Sequence, residues 1–132
     1  MAGTRFLNPE SMPKPASNYS QVAIVTGPGQ RVVLSGQIGV TAEGTLLKGY
    51  QAQAEQAWRN VLAGLADCGM GLADIVSIRV YDTTPGDVGA YRQIRDRMLA
   101  GHAPACTYVI VAGLAGPDLL TEIEVEAFSA RS

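Results

Sequence analysis

The chain has 132 residues, the length of one ordinary domain. Hydrophobic residues make up 47% of it and charged residues 17%, which is the composition of a globular protein and excludes a disordered one. Ten Lys and Arg against twelve Asp and Glu give a formal net charge of -2, which argues against a strongly basic nucleic-acid-binding protein.

No apolar run approaches the ~18 residues that a membrane span requires. Residues 1–19 contain no apolar stretch of the kind found in signal peptides, so we expect a cytoplasmic protein that does not enter a membrane. The two cysteines, Cys68 and Cys106, and the single histidine, His102, are too few for the usual zinc sites. We therefore expect no metal and no cofactor, both cysteines as thiols, and His102 as a surface residue of a loop.

The N-terminal part of the chain reads as an arm followed by strands. Residues 1–18 are polar and carry three prolines, which predicts an extended N-terminal arm. Two short apolar runs follow at residues 21–26 and 31–34, on either side of a Gly-Pro-Gly turn. Two such runs around a dense turn are typical of a β-hairpin.

Helical periodicity indicates two helices. Apolar residues recur at i, i+3, i+4 and i+7 over residues 50–68, and Gly69 is placed to end this helix. A second helix is predicted from Thr84 as N-cap and Pro85 in the first turn to about residue 100. Its charged side chains predict a solvated outer face, made of Arg92, Arg95, Asp96 and Arg97.

Three further strands are predicted at residues 75–81, 107–111 and 119–128. The element order is then β-β-α-β-α-β-β, which predicts a single α+β domain over residues 1–132, with two helices on one face of a mixed sheet. Two helices cannot cover both faces of that sheet. We expect partner subunits to cover apolar surface on the other face.

The last predicted strand alternates between apolar and acidic residues. Glu122, Glu124 and Glu126 share one of its faces, with neighbours about 6–7 Å apart. Such a row is either a solvated edge or includes one carboxylate that lies in a cleft and serves in proton transfer. The spacing does not distinguish the three glutamates.

Two other positions leave a structural and a functional reading open. Ser35-Gly36-Gln37 follows a strand, where the glycine either makes a turn or lets a ligand reach the backbone N–H groups. Cys106 lies just ahead of a predicted strand. It is either a small buried hydrophobic residue or a nucleophile.

Three segments form a distinctive set. They are Tyr19-Ser20-Gln21, Ser35-Gly36-Gln37-Ile38 and a C-terminal stretch that begins with Pro104-Ala105-Cys106-Thr107-Tyr108-Val109 and ends in Glu122-Ile123-Glu124-Val125-Glu126. In their order, their separation and the length of the chain, they resemble the RidA/YjgF family of reactive-intermediate deaminases. The resemblance implies a chorismate-mutase-like fold, a homotrimer and ligand clefts between neighbouring subunits. It also implies hydrolysis of small enamines and imines, such as 2-aminoacrylate and its imine, to a keto acid and ammonia.

The resemblance also implies roles for single residues. Glu124 matches the glutamate that positions the attacking water, and the backbone of Tyr108 matches a position that holds ligand and water. The family's residues at the border of the ligand match Tyr19, Ser35 and Gly36.

The chain departs from the deaminating members at two positions. Cys106 stands where they carry an arginine that clamps the substrate carboxylate, and Gly89 stands where they carry an asparagine. A neutral thiol cannot make the bidentate contact of a guanidinium. The resemblance is thus to branches that lack this arginine, and 2-imino acids are expected to be poor ligands unless another cation, with Arg79 as a candidate, replaces it.

Several functions follow as hypotheses. The first is hydrolysis of a small imine, enamine or related C–N compound through Glu124, with a variant in which Cys106 acts as a covalent nucleophile. The second is a non-catalytic trimer that binds a small metabolite or has a regulatory role. An RNA-directed role, attached to some family members, is disfavoured by the acidic net charge and the absence of a basic, aromatic-rich stripe.

Overall fold

A computed structural model describes residues 3–130 and has an α+β fold, as predicted. A single 3-10 turn, Leu72–Asp74, precedes the fourth strand. The two helices are α1, Tyr50–Asp67, and α2, Val88–Leu99. The six strands are β1 (Gly3–Leu7), β2 (Val22–Thr26), β3 (Gly29–Val33), β4 (Ile75–Asp82), β5 (Ala105–Ile110) and β6 (Thr121–Ala130).

The strands form two sheets where the sequence predicted one. Four of them make a mixed sheet in the order β3-β6-β4-β5, in which β6 runs antiparallel to both of its neighbours. β4 and β5 are parallel, and α2 lies in the crossover between them. β1 and β2 form a separate antiparallel ribbon.

The N-terminal region differs from the prediction in two respects. The predicted extended arm contains a strand, β1, which pairs with β2 from Gly3–Thr26 to Leu7–Val22. The predicted hairpin between β2 and β3 is wrong, because β3 pairs with β6 instead. Each strand thereby gains a ladder of five paired positions, and Pro28 between them has no N–H to donate to a hairpin. Residues 1 and 2 of the arm lie outside the described residues.

The first helix ends as predicted. Gly69 has a φ of 75°, in the left-handed region that glycine tolerates. Its N–H donates to the Ala66 carbonyl over 3.0 Å, and the N–H of Met70 donates to the Leu65 carbonyl over 2.8 Å. This pair of bonds is the Schellman arrangement, which satisfies two carbonyls at the end of α1.

The second helix begins later than predicted, at Val88 and not after Thr84. Residues 85–87 form a turn, in which Gly86 has a φ of 102° that no helical residue adopts. The first helical bond runs from the Tyr91 N–H to the Asp87 carbonyl over 2.9 Å.

The mixed sheet has an inner face, which packs against the helices, and an open face. Trp58 of α1 is fully buried against the inner face. β6 alternates as predicted, because its apolar side chains point inward and its three glutamates lie half-buried on the open face. Val33 and Val109 are exposed on that open face, Val33 by 60%. Within residues 3–130, no helix is long and apolar enough to cross a membrane.

Candidate functional site

The candidate residues from the sequence fall into two groups on opposite faces of the mixed sheet. One group lies on the open face, around Glu124 of β6. The other lies at the edge of the inner face, around Cys106 and Tyr108 of β5. Within one chain, the side chains of Glu124 and Cys106 therefore do not meet.

Glu124 is held by two residues of the neighbouring strand β4. Its Oε1 accepts a hydrogen bond of 2.8 Å from the hydroxyl of Tyr81. Arg79, which is paired with Glu124 in the ladder, brings its Nη1 to 4.0 Å from the same oxygen. The bond to Glu124 raises the pKa of the Tyr81 hydroxyl, so Tyr81 keeps its proton and remains a donor. One carboxylate oxygen is thus fixed by this donor and this cation.

Ser35 and Gly36 lie opposite Glu124, beyond the end of β3. The N–H of Leu34 donates to the Val125 carbonyl over 3.0 Å, and Gln37 exchanges two backbone bonds with Ile123. Two residues therefore face one residue of β6, which is the arrangement of a β-bulge. A bulge turns backbone groups out of the ladder, and it places Ser35 and Gly36 beside Glu124.

Gly36 has a second neighbour in this arrangement. A Cβ at this position would overlap the carboxylate of Glu122, so a side chain there would displace that glutamate. The absence of a side chain at Gly36 therefore allows the backbone at this position to lie close to Glu122. It brings a backbone segment against the acidic row.

The three glutamates differ in their partners. Glu126 makes an ion pair of 3.0 Å with Arg31 of β3, whereas Glu122 packs over Gly36. Glu124 alone among them accepts a bond from a tyrosine hydroxyl. Sequence reasoning could not find this difference, because Tyr81 is paired with Glu122 in the ladder and reaches Glu124 diagonally.

A cavity of about 240 Å³ lies at the other location, between β5, α2 and the segment that precedes β2. It brings together three of the predicted residues, Tyr19, Cys106 and Tyr108. Gly89 is exposed in the first turn of α2 and does not line the cavity, although its neighbour Val88 does. The full lining is Ser17, Tyr19, Val88, Tyr91, Arg92, Arg95, Cys106 and Tyr108.

The segment before β2 is fastened to the edge of β5. The Ser20 hydroxyl donates to the Ala103 carbonyl over 2.6 Å, and the Ser20 N–H donates to the Pro104 carbonyl over 3.0 Å. Ser20 is buried by this contact. These bonds place Ser17 and Tyr19 as one wall of the cavity.

The hydroxyl of Tyr108 donates to a buried carboxylate. Oδ2 of Asp82 accepts bonds from Tyr108, over 2.6 Å, and from Tyr50, over 2.7 Å. Burial and the bond to Asp82 raise the pKa of both tyrosines, so both remain protonated donors. The ring of Tyr108 is thereby fixed in position.

Arg95 is not on a solvated face, contrary to the prediction from the sequence. It is 2% exposed, and its Nη1 donates to the Ser17 hydroxyl over 3.3 Å. The guanidinium carbon lies 5.6 Å from the centre of the Tyr91 ring, within cation–π range. The segment that covers it is remote in sequence, so the helical pattern of α2 gave no sign of this burial. Arg92 also faces the cavity.

Cys106 is a thiol beside Tyr91, whose hydroxyl lies 3.9 Å from the sulfur. Burial raises the pKa of this thiol, which lowers the fraction present as thiolate at neutral pH. His102 lies half-buried in its loop, where its Nε2–H donates to the Ile75 carbonyl over 2.8 Å and its ring packs edge-on against Phe6. Its position favours a structural role.

The Cys106 thiol is expected to react slowly. In a Cys68→Ser variant, where Cys106 is the single thiol, alkylation by iodoacetamide at pH 7.5 should be at least about tenfold slower in the folded protein than in guanidinium chloride. The rate in the folded protein should rise with pH as thiolate forms. Equal rates in the folded and unfolded states would instead indicate an activated thiol, and would revive the covalent variant of the mechanism.

Comparison with known proteins gives one family model. Residues 9–129 match the model described as Endoribonuclease L-PSP. A RutC family protein of Pyrococcus abyssi is 31% identical over 121 residues, which cover 90% of this chain and 92% of the relative. A 2-iminobutanoate/2-iminopropanoate deaminase of Dermatophagoides farinae is 28% identical, over 86% of this chain and 88% of that protein.

Solved structures also match over nearly the whole chain. The crystal structure of a conserved Rid family protein of unknown function from Yersinia pestis, YyfB, superimposes with a TM-score of 0.84. It is 31% identical, and the match covers 94% of this chain and 97% of the other. The likeness therefore extends to fold, length and sequence together.

Proposed function

Since the chain belongs to the RidA/YjgF family, we propose that it hydrolyses small imines or enamines at the open face of its sheet, with Glu124 positioning the attacking water. The observation that carries the proposal is the fixed carboxylate of Glu124, which Tyr81 and Arg79 hold beside the backbone bulge at Ser35 and Gly36. Membership of this family already supports a general RidA-type function for the chain.

The reaction needs a group that accepts a proton from the attacking water and then donates a proton to the nitrogen of the substrate. Water adds to the carbon of the C=N bond, and Glu124 accepts a proton from that water as the new C–O bond forms. When this proton is returned to the nitrogen of the resulting carbinolamine, ammonia leaves, the hydroxyl proton passes back to Glu124, and the carbonyl product remains. Tyr81 occupies Oε1 of Glu124, so Oε2 is the oxygen available to the water. The N–H groups of the bulge supply donors for the polarised substrate.

Arg79 supplies the positive charge that Cys106 cannot. It is half-exposed, with 48% of its side-chain surface open, and it lies beside Glu124. A guanidinium so placed can bind the carboxylate of a 2-imino acid next to the group that activates water. The proposed substrates therefore include imino acids, which the sequence alone made doubtful.

We include a homotrimer in the proposal, with the clefts between subunits at the open face. The exposed valines of that face, Val33 and Val109, support a partner there, because covering exposed apolar side chains favours association. Tyr108 and Cys106, which lie on the other face of the chain, would reach such a cleft only through their backbone. Light scattering on the purified protein tests the assembly, and a monomer at all concentrations would contradict it.

A coupled assay tests the activity. An amino-acid oxidase generates imino acids from several amino acids in the presence of semicarbazide, and the rate of semicarbazone formation is followed with and without this protein. We expect a slower semicarbazone signal on addition of the protein, because hydrolysis competes with capture. An arginine-bearing RidA relative serves as the positive control. No effect beside an active control would exclude imino acids as substrates.

The second candidate is a trimer that binds a metabolite without turning it over. The observation in its favour is the half-buried thiol of Cys106, which stands at the position of the family's clamping arginine and lines the cavity. Saturable binding of a small molecule with no product after long incubation would favour this function over hydrolysis.

A further inference from the structure

A second cavity lies between the loop that precedes α1 and the loop that precedes β6. Its volume is about 540 Å³, within the range of about 300–1,000 Å³ that is usual for sites of small molecules. It shares no residue with the cavity beside β5 or with the surroundings of Glu124. The lining is Leu46, Leu47, Lys48, Gly49, Gln53, Pro117, Asp118 and Leu120.

Gln53 of α1 holds the two loops of this second cavity in place. Its side chain is 2% exposed, and its Nε2 donates to the carbonyl of Leu47 on one loop and of Asp118 on the other. Its Oε1 accepts from the N–H of Leu120 over 2.9 Å. Three bonds from one buried side chain thus fix both walls. A ligand would find the cavity already formed and would not have to order the loops.

Two opposite charges line the second cavity, one on each loop. They belong to Lys48 and Asp118, which are both exposed. The two groups do not lie within ion-pair distance of each other. Within residues 3–130, neither side chain has an ion-pair partner elsewhere, and Asp118 accepts its one hydrogen bond through the backbone. The cavity therefore presents one cation and one anion, with no net charge.

The rest of the lining suits an apolar group. Leu46, Leu47 and Leu120 are each partly buried in the two walls. Helix α1 begins beside Lys48 with Gly49 as its N-cap, and in the described part of the chain no side chain caps its first N–H groups. These groups add to the positive potential on the Lys48 side. A carboxylate is therefore favoured on that side of the cavity.

We propose that the second cavity binds a free apolar α-amino acid, with its carboxylate at Lys48, its ammonium at Asp118 and its side chain among the leucines. A zwitterion matches two unlike charges that sum to zero. A simple anion or a simple cation would leave one of the two groups unpaired and would meet a like charge. The site has no residue in common with the proposed hydrolytic site, so the inference goes beyond the proposed function and does not depend on it.

Amide NMR titration with L-leucine tests the site. We expect saturable shifts at residues 46–49 and 118–120. Isocaproate, which lacks the ammonium group, and L-leucinamide, which lacks the carboxylate, should each bind at least about threefold more weakly, because one charge contact is missing. Glycine should also bind more weakly, because it has no side chain to bury among the leucines.

Variants of the two charged residues locate the binding. Lys48→Gln and Asp118→Asn should each weaken L-leucine binding by about threefold to tenfold, the loss expected for a charge contact at an exposed rim. Lys14→Gln is the matched control for the lysine, because Lys14 lies in a different surface hollow. Asp67→Asn is the control for the aspartate, since Asp67 is exposed at the far end of α1. Both controls should bind as the wild type does.

An Arg79→Gln variant separates this cavity from the open face of the sheet. It removes the cation beside Glu124, and the shifts at residues 46–49 and 118–120 should remain. Loss of those shifts would contradict the proposal and assign the binding to the open face.

Four other results would overturn the proposal. They are binding of isocaproate or L-leucinamide as tight as that of L-leucine, equal binding of glycine, an unchanged affinity in both charge variants, and no shifts at the cavity with millimolar L-leucine. The titration involves no turnover. An inactive protein that binds L-leucine here, or an active one that does not, would separate this inference from the proposed function.

Discussion

Replacing Glu124 by Gln should lower the rate of imine hydrolysis by about 10²- to 10⁴-fold, the range that a positioned general acid–base group contributes. The amide has nearly the shape of the carboxylate, and its oxygen can still accept the bond from Tyr81. It cannot take a proton from water. The loss should appear mainly in kcat, because the substrate contacts of Arg79 and the bulge remain.

Glu126→Gln is the matched control for this change. It lies on the same face of the same strand, and its partner is Arg31. The measurement is the semicarbazide-coupled rate for wild type and both variants, together with their thermal melting curves. Full turnover in Glu124→Gln, with an intact fold, would remove Glu124 from the mechanism. An equal loss in Glu126→Gln would indicate that the rate depends on the total negative charge of the three glutamates and not on the carboxylate of Glu124 alone.

The second large effect concerns stability. Gln53 of α1 is 2% exposed, and its side-chain amide binds two loops at once. Its Nε2 donates to the carbonyls of Leu47 and Asp118, both over 3.0 Å, and its Oε1 accepts from the Leu120 N–H over 2.9 Å. Gln53→Leu keeps the volume but leaves three backbone groups without partners. We expect a loss of about 2–4 kcal/mol in the free energy of unfolding, at about 1–3 kcal/mol for each group that stays buried.

Urea unfolding of Gln53→Leu and Gln56→Leu measures this effect. Gln56 lies one turn further along α1, where its Nε2 makes a single side-chain bond of 2.9 Å to Asn60. Its replacement should cost well under half as much. Similar losses in the two variants would mean that the helix surface, and not the anchoring of the loops, determines the cost.

The periodic elements could be predicted because their own side chains define them. The apolar stripe of α1 and the alternation of β6 both describe faces that are buried in the structure. The early strands could not be assigned partners, because β3 is completed by β6, almost a hundred residues later. The sequence predicted too early a start for α2, because Pro85 suits a first helical turn. In the structure Gly86 has a positive φ, so the helix cannot begin before it.

The candidate site shows the same division. Ser35, Gly36 and Glu124 could be named from motifs, and they lie together. Which glutamate is held by a hydroxyl depends on a diagonal contact across two strands, and no local pattern encodes it. The burial of Arg95 depends on a covering segment about eighty residues away. Motifs in the sequence therefore identify candidate residues, whereas contacts between distant parts of the chain determine which of these residues are held in place or buried.

The fastening of Ser20 to Ala103 and Pro104 has a consequence for solubility. β5 is an edge strand, and an edge with unpaired backbone groups is a template on which another chain can add. Ser20 occupies the start of that edge with a parallel bridge to Ala105, so intermolecular β-addition is blocked where β5 begins. If this short segment detached, the beginning of β5 would be exposed and could pair with a strand of another chain. The contact that places one wall of the cavity beside β5 therefore also protects the protein against aggregation.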